Sequence, residues 1–155
     1  MSAADTQIRV VLRQPNADDW PRLGEWNAAL IRDERHDNPM TVAQLIARMR
    51  EWVAGEYRPR IFVCDGSDAG YALYRELPEF VHLRQFYVVP ERRRCGIGRA
   101  ALHALTEEFP LRKRVVVEAM IGNTGALAFW RAMGFADRYI GLEASPPGRG
   151  GRGSQ

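Results

Sequence analysis

The segment Pro90–Leu102, PERRRCGIGRAAL, concentrates residue types that hold a phosphorylated ligand. Arg92, Arg93, Arg94 and Arg99 flank Gly96 and Gly98. A glycine has no Cβ, so a diphosphate can approach the main chain closely. The first amides of a helix have no intrahelical acceptor, and the helix dipole favours an anion in front of them. Guanidinium groups at the same mouth add charge-assisted hydrogen bonds. Two familiar phosphate motifs do not fit. No Lys-Ser or Lys-Thr pair follows the glycines, and no third glycine completes a dinucleotide fingerprint. The plain alternative is a tight loop bearing solvated arginines.

For the turn to work, a strand must deliver it and a helix must leave it. Phe80–Val89 reads as that strand, stopped by Pro90, and apolar residues at Ile97, Ala101, Leu102, Leu105 and Phe109 recur at helical spacing behind it. Upstream, Ile8–Gln14 reads as a β-branched strand. Asn16 offers an N-cap to a helix through Trp20, Leu23, Trp26 and Leu30. A charged loop, Arg32–Met40, leads to Thr41 and Gln44, a capping-box pair before a second helix. Strands Arg60–Cys64 and Gly70–Arg75 flank the turn residues Asp65–Asp68. Arg114–Met120 reads as a buried strand. Asn123 or Thr124 caps a last helix that Gly134 ends, and a final strand is expected from Phe135. Strand–helix–strand order in the second half implies some parallel pairing. The expectation is a mixed α/β fold with a largely antiparallel central sheet of six to seven strands and about four helices.

A chain of 155 residues fits one domain, here residues 1–143, followed by a Pro/Gly/Arg tail, residues 144–155, expected to be disordered. The net charge is +3, and the tail carries two arginines and no acid, so the folded part is nearly neutral. That argues against a nucleic-acid partner despite the basic pI. No apolar run suggests a membrane span, and no secretory leader is evident, so a cytoplasmic location is expected. Two cysteines and three histidines make a disulfide framework or a metal site a poor expectation.

With these elements in place, the chain resembles the GNAT superfamily of N-acetyltransferases. The resemblance covers about Ile8 to Glu143. Its main signature is Arg93-Arg94-Cys95-Gly96-Ile97-Gly98, preceded by the strand-like LRQFYVVPERRR. A second signature follows in Asn123, Ala126, Phe129-Trp130 and Gly134-Phe135. The resemblance implies acetyl-CoA as co-substrate, no metal, and an amine acceptor that is a small molecule or an exposed protein amine. Homodimers are common among similar proteins. The implied cofactor contacts run over Arg93, Arg94, Cys95, Gly96, Ile97, Gly98, Arg99 and Ala100, with the pyrophosphate on main-chain amides. Backbone groups of Tyr87, Val88 and Val89 are implied to pair with the pantetheine arm as an added strand, and an amide near Val88 to polarise the thioester carbonyl. Asn123 matches a position that contacts the pantetheine, and equally reads as a helix cap.

The resemblance also nominates acid–base residues. His82 stands eleven residues before Arg93, where similar histone acetyltransferases hold a glutamate base and arylalkylamine acetyltransferases a histidine. An imidazole suits proton transfer near neutral pH. Strand alternation puts His82 and Arg84 on one face. Glu34, in the loop that often borders the acceptor site, and Glu118, on the following strand, are further candidates. Trp130 stands where the family often has a tyrosine that protonates the leaving thiolate. Indole is a donor with no transferable proton, so Trp130 is expected, with Phe129, to pack beside the cofactor. Tyr87 and Tyr139 are the phenols left to replace it. The expected activity is acetyl transfer to a primary amine in a ternary complex. An acyl-CoA-binding module without turnover is the other reading.

Overall fold

The computed structural model describes residues 7–110 and 112–146. Five strands form one sheet in the order β1-β2-β3-β4-β5: β1 Val11–Arg13, β2 Tyr57–Cys64, β3 Ser67–Glu76, β4 Phe80–Val88 and β5 Arg114–Val117. The first four pair antiparallel, and β5 joins β4 in parallel. The helices are α1 Trp20–Asp33, α2 Val42–Ala54, α3 Ile97–Glu108 and α4 Thr124–Ala132.

Local sequence accounts for most boundaries. Asn16 caps a short turn before α1, its Oδ1 accepting the Asp18 amide at 2.9 Å. Thr41 and Gln44 close the expected capping box on α2: Thr41 Oγ1 accepts the Gln44 amide at 3.2 Å, and Gln44 Oε1 accepts the Thr41 amide at 2.9 Å. β2 begins at Tyr57, three residues earlier than expected. Pro59 has no N–H to give a ladder, but β1 covers only Ile61–Val63 of that edge, so the proline is tolerated.

The sheet is covered on both faces. On one, Phe62, Ala72, Val81, Leu83 and Val88 pack under α3 and α4 against Ile97, Ala101, Leu105 and Trp130. On the other, Ile61, Tyr71, Leu73 and Tyr87 pack under α1 and α2 against Leu23 and Met49, with Trp20, Trp26 and Trp52 at the margin. Each fully buried aliphatic side chain contributes ~1.5–3 kcal/mol. Arg13 ties the N-terminal strand to both Asp19 and Asp68, and Arg22 joins the same two carboxylates.

The strand count corrects the expected six to seven. Among the described residues there are five, and β5 ends at Val117 rather than Met120. No strand forms from Phe135. Arg131 pairs with Asp137 at 2.7 Å next to the end of α4, and beyond it Tyr139, Ile140 and Leu142 are exposed. A segment with strand propensity becomes a strand only against a ladder partner, and none lies alongside. Residues 147–155 of the expected tail lie outside the described residues.

Candidate active site

The glycine turn lies between the end of β4 and α3. Arg94 (φ 60°) and Gly96 (φ 87°) both have left-handed backbones that curl the chain into the helix. The amides of Arg92 and Arg93 bond to the carbonyls of Val89 and Pro90. The next internal bond is from Ala100 to the Gly96 carbonyl at 3.1 Å. The amides of Arg94, Cys95, Gly96, Ile97, Gly98 and Arg99 therefore have no acceptor among the described residues. A run of free donors at a helix N-terminus attracts a multiply charged anion.

The two glycines serve different ends. Gly96 is required by its positive φ. At Gly98 an added Cβ would lie 3.1 Å from Phe129 Cε2, so its bareness admits the Phe129 ring. The arginines also divide. Arg92 donates to the Cys64 carbonyl at 3.2 Å. Arg93 donates through Nε to the Val88 carbonyl at 2.7 Å and pairs with Asp33 of α1 at 2.7 Å. Both brace the turn. Arg94 and Arg99 are exposed and form no ion pair among the described residues. Cys95 donates its thiol to the Arg92 carbonyl at 2.8 Å. Ile97 is buried under the sheet, and Ala100 closes the first helical turn.

β4 leaves the sheet's regular register just before this turn. β3 pairs Leu73 with Gln85 and Tyr74 with Leu83, so Arg84 is an extra, bulged residue. A bulge reverses the alternation. His82, Arg84, Gln85 and Tyr87 accordingly share the α1/α2 side, while Leu83, Phe86 and Val88 pack on the other. Pairing of β4 with β5 stops at Leu83–Val117. Beyond it the β4 edge of Gln85–Val88 has no strand beside it. The Val89 amide is spent on the Ala69 carbonyl at 2.9 Å.

His82 sits where β4 and β5 still pair, opposite Val116. Its Nε2 lies 3.6 Å from Glu118 Oε1, and its Nδ1 lies 2.8 Å from the Tyr57 hydroxyl. Burial lowers the imidazole pKa, Arg84 and Arg75 lower it further, and Glu118 opposes them. The neutral imidazole is thus favoured over the charged form. The structure brings His82 and Glu118 together and adds Tyr57, which sequence reasoning missed. Arg84 Nη1 reaches the same hydroxyl at 3.4 Å.

Glu34 lies apart from that pair. It follows the last turn of α1, and burial raises its carboxyl pKa. Its charge bears on Tyr71, whose hydroxyl donates to Gln85 Oε1 at 2.9 Å. Asn123 caps α4, its Oδ1 accepting the Ala126 amide at 3.1 Å, which leaves its amide nitrogen free to donate. Phe86 stacks on Phe129 at 5.7 Å between ring centroids, and Trp130 meets Phe86 edge-on at 5.2 Å. Trp130 thus belongs to the core beneath the open β4 edge. Tyr139 is 73% exposed, and burial raises the Tyr87 phenol. A groove of about 900 Å³ lined by Glu56, Tyr57, Arg75, Pro78 and Lys113 opens beside the Tyr57 end of the site, and no glycine-turn residue lines it. Among the described residues no group of three or more His, Cys, Asp or Glu side chains is placed to hold a metal, and no helix is long and apolar enough to cross a membrane.

A free-amide turn at a helix N-terminus, beside a bulged strand that runs on past the end of its parallel neighbour, suits an extended anionic ligand. The family model described as the acetyltransferase (GNAT) family matches residues 20–135. The chain belongs to that family, the one its motifs resemble. An uncharacterized N-acetyltransferase of Methanocaldococcus jannaschii is 26% identical over 101 residues, covering 58% of this chain. The match spans 45% of that relative's length. Solved structures share the fold. An acetyltransferase from Thermus thermophilus has a TM-score of 0.69 at 20% identity, covering 85% of this chain and 88% of its own. An aminoglycoside N-acetyltransferase in complex with CoA has 0.67 at 17%, covering 92% and 97%. A Clostridium acetobutylicum protein, described as a predicted acetyltransferase with acetyl-CoA, has 0.67 at 17%, covering 88% and 96%.

Proposed function

We propose that this protein is an N-acetyltransferase that moves an acetyl group from acetyl-CoA to a primary amine of a small molecule or an exposed protein amine, directly, in a ternary complex. The observation that carries the reading is the run of acceptor-free amides from Arg94 to Arg99 at the mouth of α3, next to the open β4 edge. The residues fit the co-substrate. Free amides and the unpaired Arg94 and Arg99 suit a diphosphate, and a bare strand edge suits an extended amide-bearing arm. When bound, acetyl-CoA supplies an activated thioester.

The chain's own groups do the rest. Amides of the turn hold the anion, and the open edge at Val88 aligns the arm, Tyr87 having turned its backbone toward β3. An amide near Val88 is aimed at developing negative charge, a kind of interaction that can contribute ~3–4 kcal/mol. Asn123 donates its free amide toward the same arm, and Phe129 and Trp130 form an apolar floor under it. His82 is the base. The Tyr57 hydroxyl at Nδ1 orients the ring, and in the tautomer that carries its proton on Nδ1 the Nε2 lone pair takes the amine proton. Glu118 stabilises the imidazolium that results. Glu34 borders the acceptor space from the end of α1. The free thiols of Cys64 and Cys95 suit a reducing, cytoplasmic location.

Titration with CoA in a calorimeter, followed by an amine panel with acetyl-CoA at two pH values and detection of free thiol, tests the reading. Saturable binding and amine-dependent thiol release are expected. Binding without release over the whole panel would make this an acyl-CoA-binding module, and absence of CoA binding would overturn the assignment.

A further inference from the structure

We propose that the acceptor amine carries an anionic group, a carboxylate or phosphate, held by Arg48 of α2 and Arg84 of the β4 bulge beside the Trp52 ring. This rests on the acetyltransferase reading above and specifies its acceptor.

Both guanidiniums stack on one indole. The Arg48 and Arg84 guanidinium carbons lie 4.4 and 4.0 Å from the Trp52 ring centroid. A single cation over an indole is favourable, but two converging on the same ring repel. No carboxylate of the described residues pairs with either. Arg13, Arg22, Arg60, Arg93 and Arg131, by contrast, each reach at least one. The remaining contacts are long: Arg48 Nη2 to Asn27 Oδ1 and Arg84 Nη1 to the Tyr57 hydroxyl, both at 3.4 Å. Arg48 Nε is buried with no partner. Burial disfavours its charge, and Arg84 adds to the effect. An unmatched buried donor is costly in a fold, and the Nη atoms of the same guanidinium have no carboxylate to offset it.

The position selects the acceptor over acetyl-CoA. Arg84 lies four residues before Val88, roughly 13 Å of strand from the end of β4, with the glycine turn beyond it. It shares the Tyr57 hydroxyl with His82, so an anion held there lies beside the base. A guanidinium fork binds carboxylate or phosphate oxygens in pairs. Trp52 offers an apolar surface to the carbons between the anion and the amine. Polycationic amines are disfavoured by the same two charges.

Matched acceptors test this with acetyl-CoA and thiol detection: β-alanine against β-alaninamide, O-phosphoethanolamine against ethanolamine, and spermidine as the cationic arm. The acidic member of at least one pair is expected to exceed its neutral partner tenfold or more in kcat/KM, with spermidine poorest. The pair that responds tells carboxylate from phosphate. R84Q and R48Q should each raise KM for the acidic member by roughly ten- to a hundredfold and erase the preference, with R84K restoring part of it. Arg84 is exposed, so R84Q should fold, and a thermal melt checks R48Q. Equal use of acidic and neutral partners, or a preference that survives both variants, overturns the anion site while thiol release upholds acetyl transfer. If no amine turns over, the CoA-saturated protein is titrated calorimetrically with β-alanine and O-phosphoethanolamine. Binding lost in R84Q then supports the anion site against the acetyl-transfer reading, and no binding of either overturns the site.

Discussion

His82 Nδ1 and the Tyr57 hydroxyl lie 2.8 Å apart although β3 separates their strands. Arg75 pairs in register with both residues, so Tyr57, Arg75 and His82 form one row across three strands. Tyr57 reaches along that row to fix the imidazole ring, and Arg75, paired with Glu56 at 2.5 Å, adds a positive charge that lowers the His82 pKa.

The pH dependence of turnover should carry this environment. The acid limb of kcat/KM is expected below pH 6.5, the ordinary histidine value, because burial disfavours the imidazolium. H82Q should abolish the limb, and E118Q should move it to lower pH, since Glu118 raises the His82 pKa. A limb unmoved in both variants would remove His82 as the base. Stability follows with its own sign. The unfolded chain takes up the His82 proton before the folded one, so this contribution is present above about pH 6.5 and lost as pH falls through the lower folded value.

Y57F should lower kcat by roughly fivefold, the equivalent of one neutral hydrogen bond of ~1 kcal/mol, with KM for acetyl-CoA little changed. Steady-state kinetics on both substrates reads this split. A Tyr57 that served packing alone would show a lower melting temperature and an unaltered kcat.

Substitutions at the two glycines should separate binding from packing. G96D introduces a side chain at φ 87° and a negative charge among the free amides, and should abolish CoA binding by calorimetry. G98A sets a methyl 3.1 Å from the Phe129 ring and should destabilise the fold by about 1 kcal/mol while CoA still binds. Unchanged affinity in G96D would remove the cradle.

Asp19 anchors the N-terminal network. Arg13, through its hydrogen bonds, holds the carboxyl down to about 2. Because the folded pKa lies below the unfolded one, its stabilisation is full above about pH 4 and is lost as pH falls toward 2. D19N should lower stability at pH 7 by ~2 kcal/mol and flatten this acid dependence in urea titrations. Parallel pH–stability curves for the two proteins would show that the network contributes nothing.

Much of this was readable from the chain because it depends on neighbours in sequence. The Thr41–Gln44 box, the Asn123 cap and the turn from Pro90 into α3 are settled within a few residues by side chain and backbone geometry. The parallel pairing of β4 and β5 follows from the helix between them. Alternation alone put His82 and Arg84 on one face, which the bulge after Leu83 leaves intact.

What escaped that reading comes from encounters between distant segments. Tyr57 was hidden because Pro59 argues against a strand, and only the short reach of β1 makes that edge safe for it. Asp33 captures Arg93, and Phe129 occupies the space that Gly98 leaves, through helices remote in the chain. Among the described residues the run after Phe135 forms no strand because β-ladders need a partner that no local pattern can supply. Local composition is thus enough for an anion-binding turn, whereas the environment of His82 and the convergence of Arg48 and Arg84 on Trp52 exist only once sheet and helices have packed.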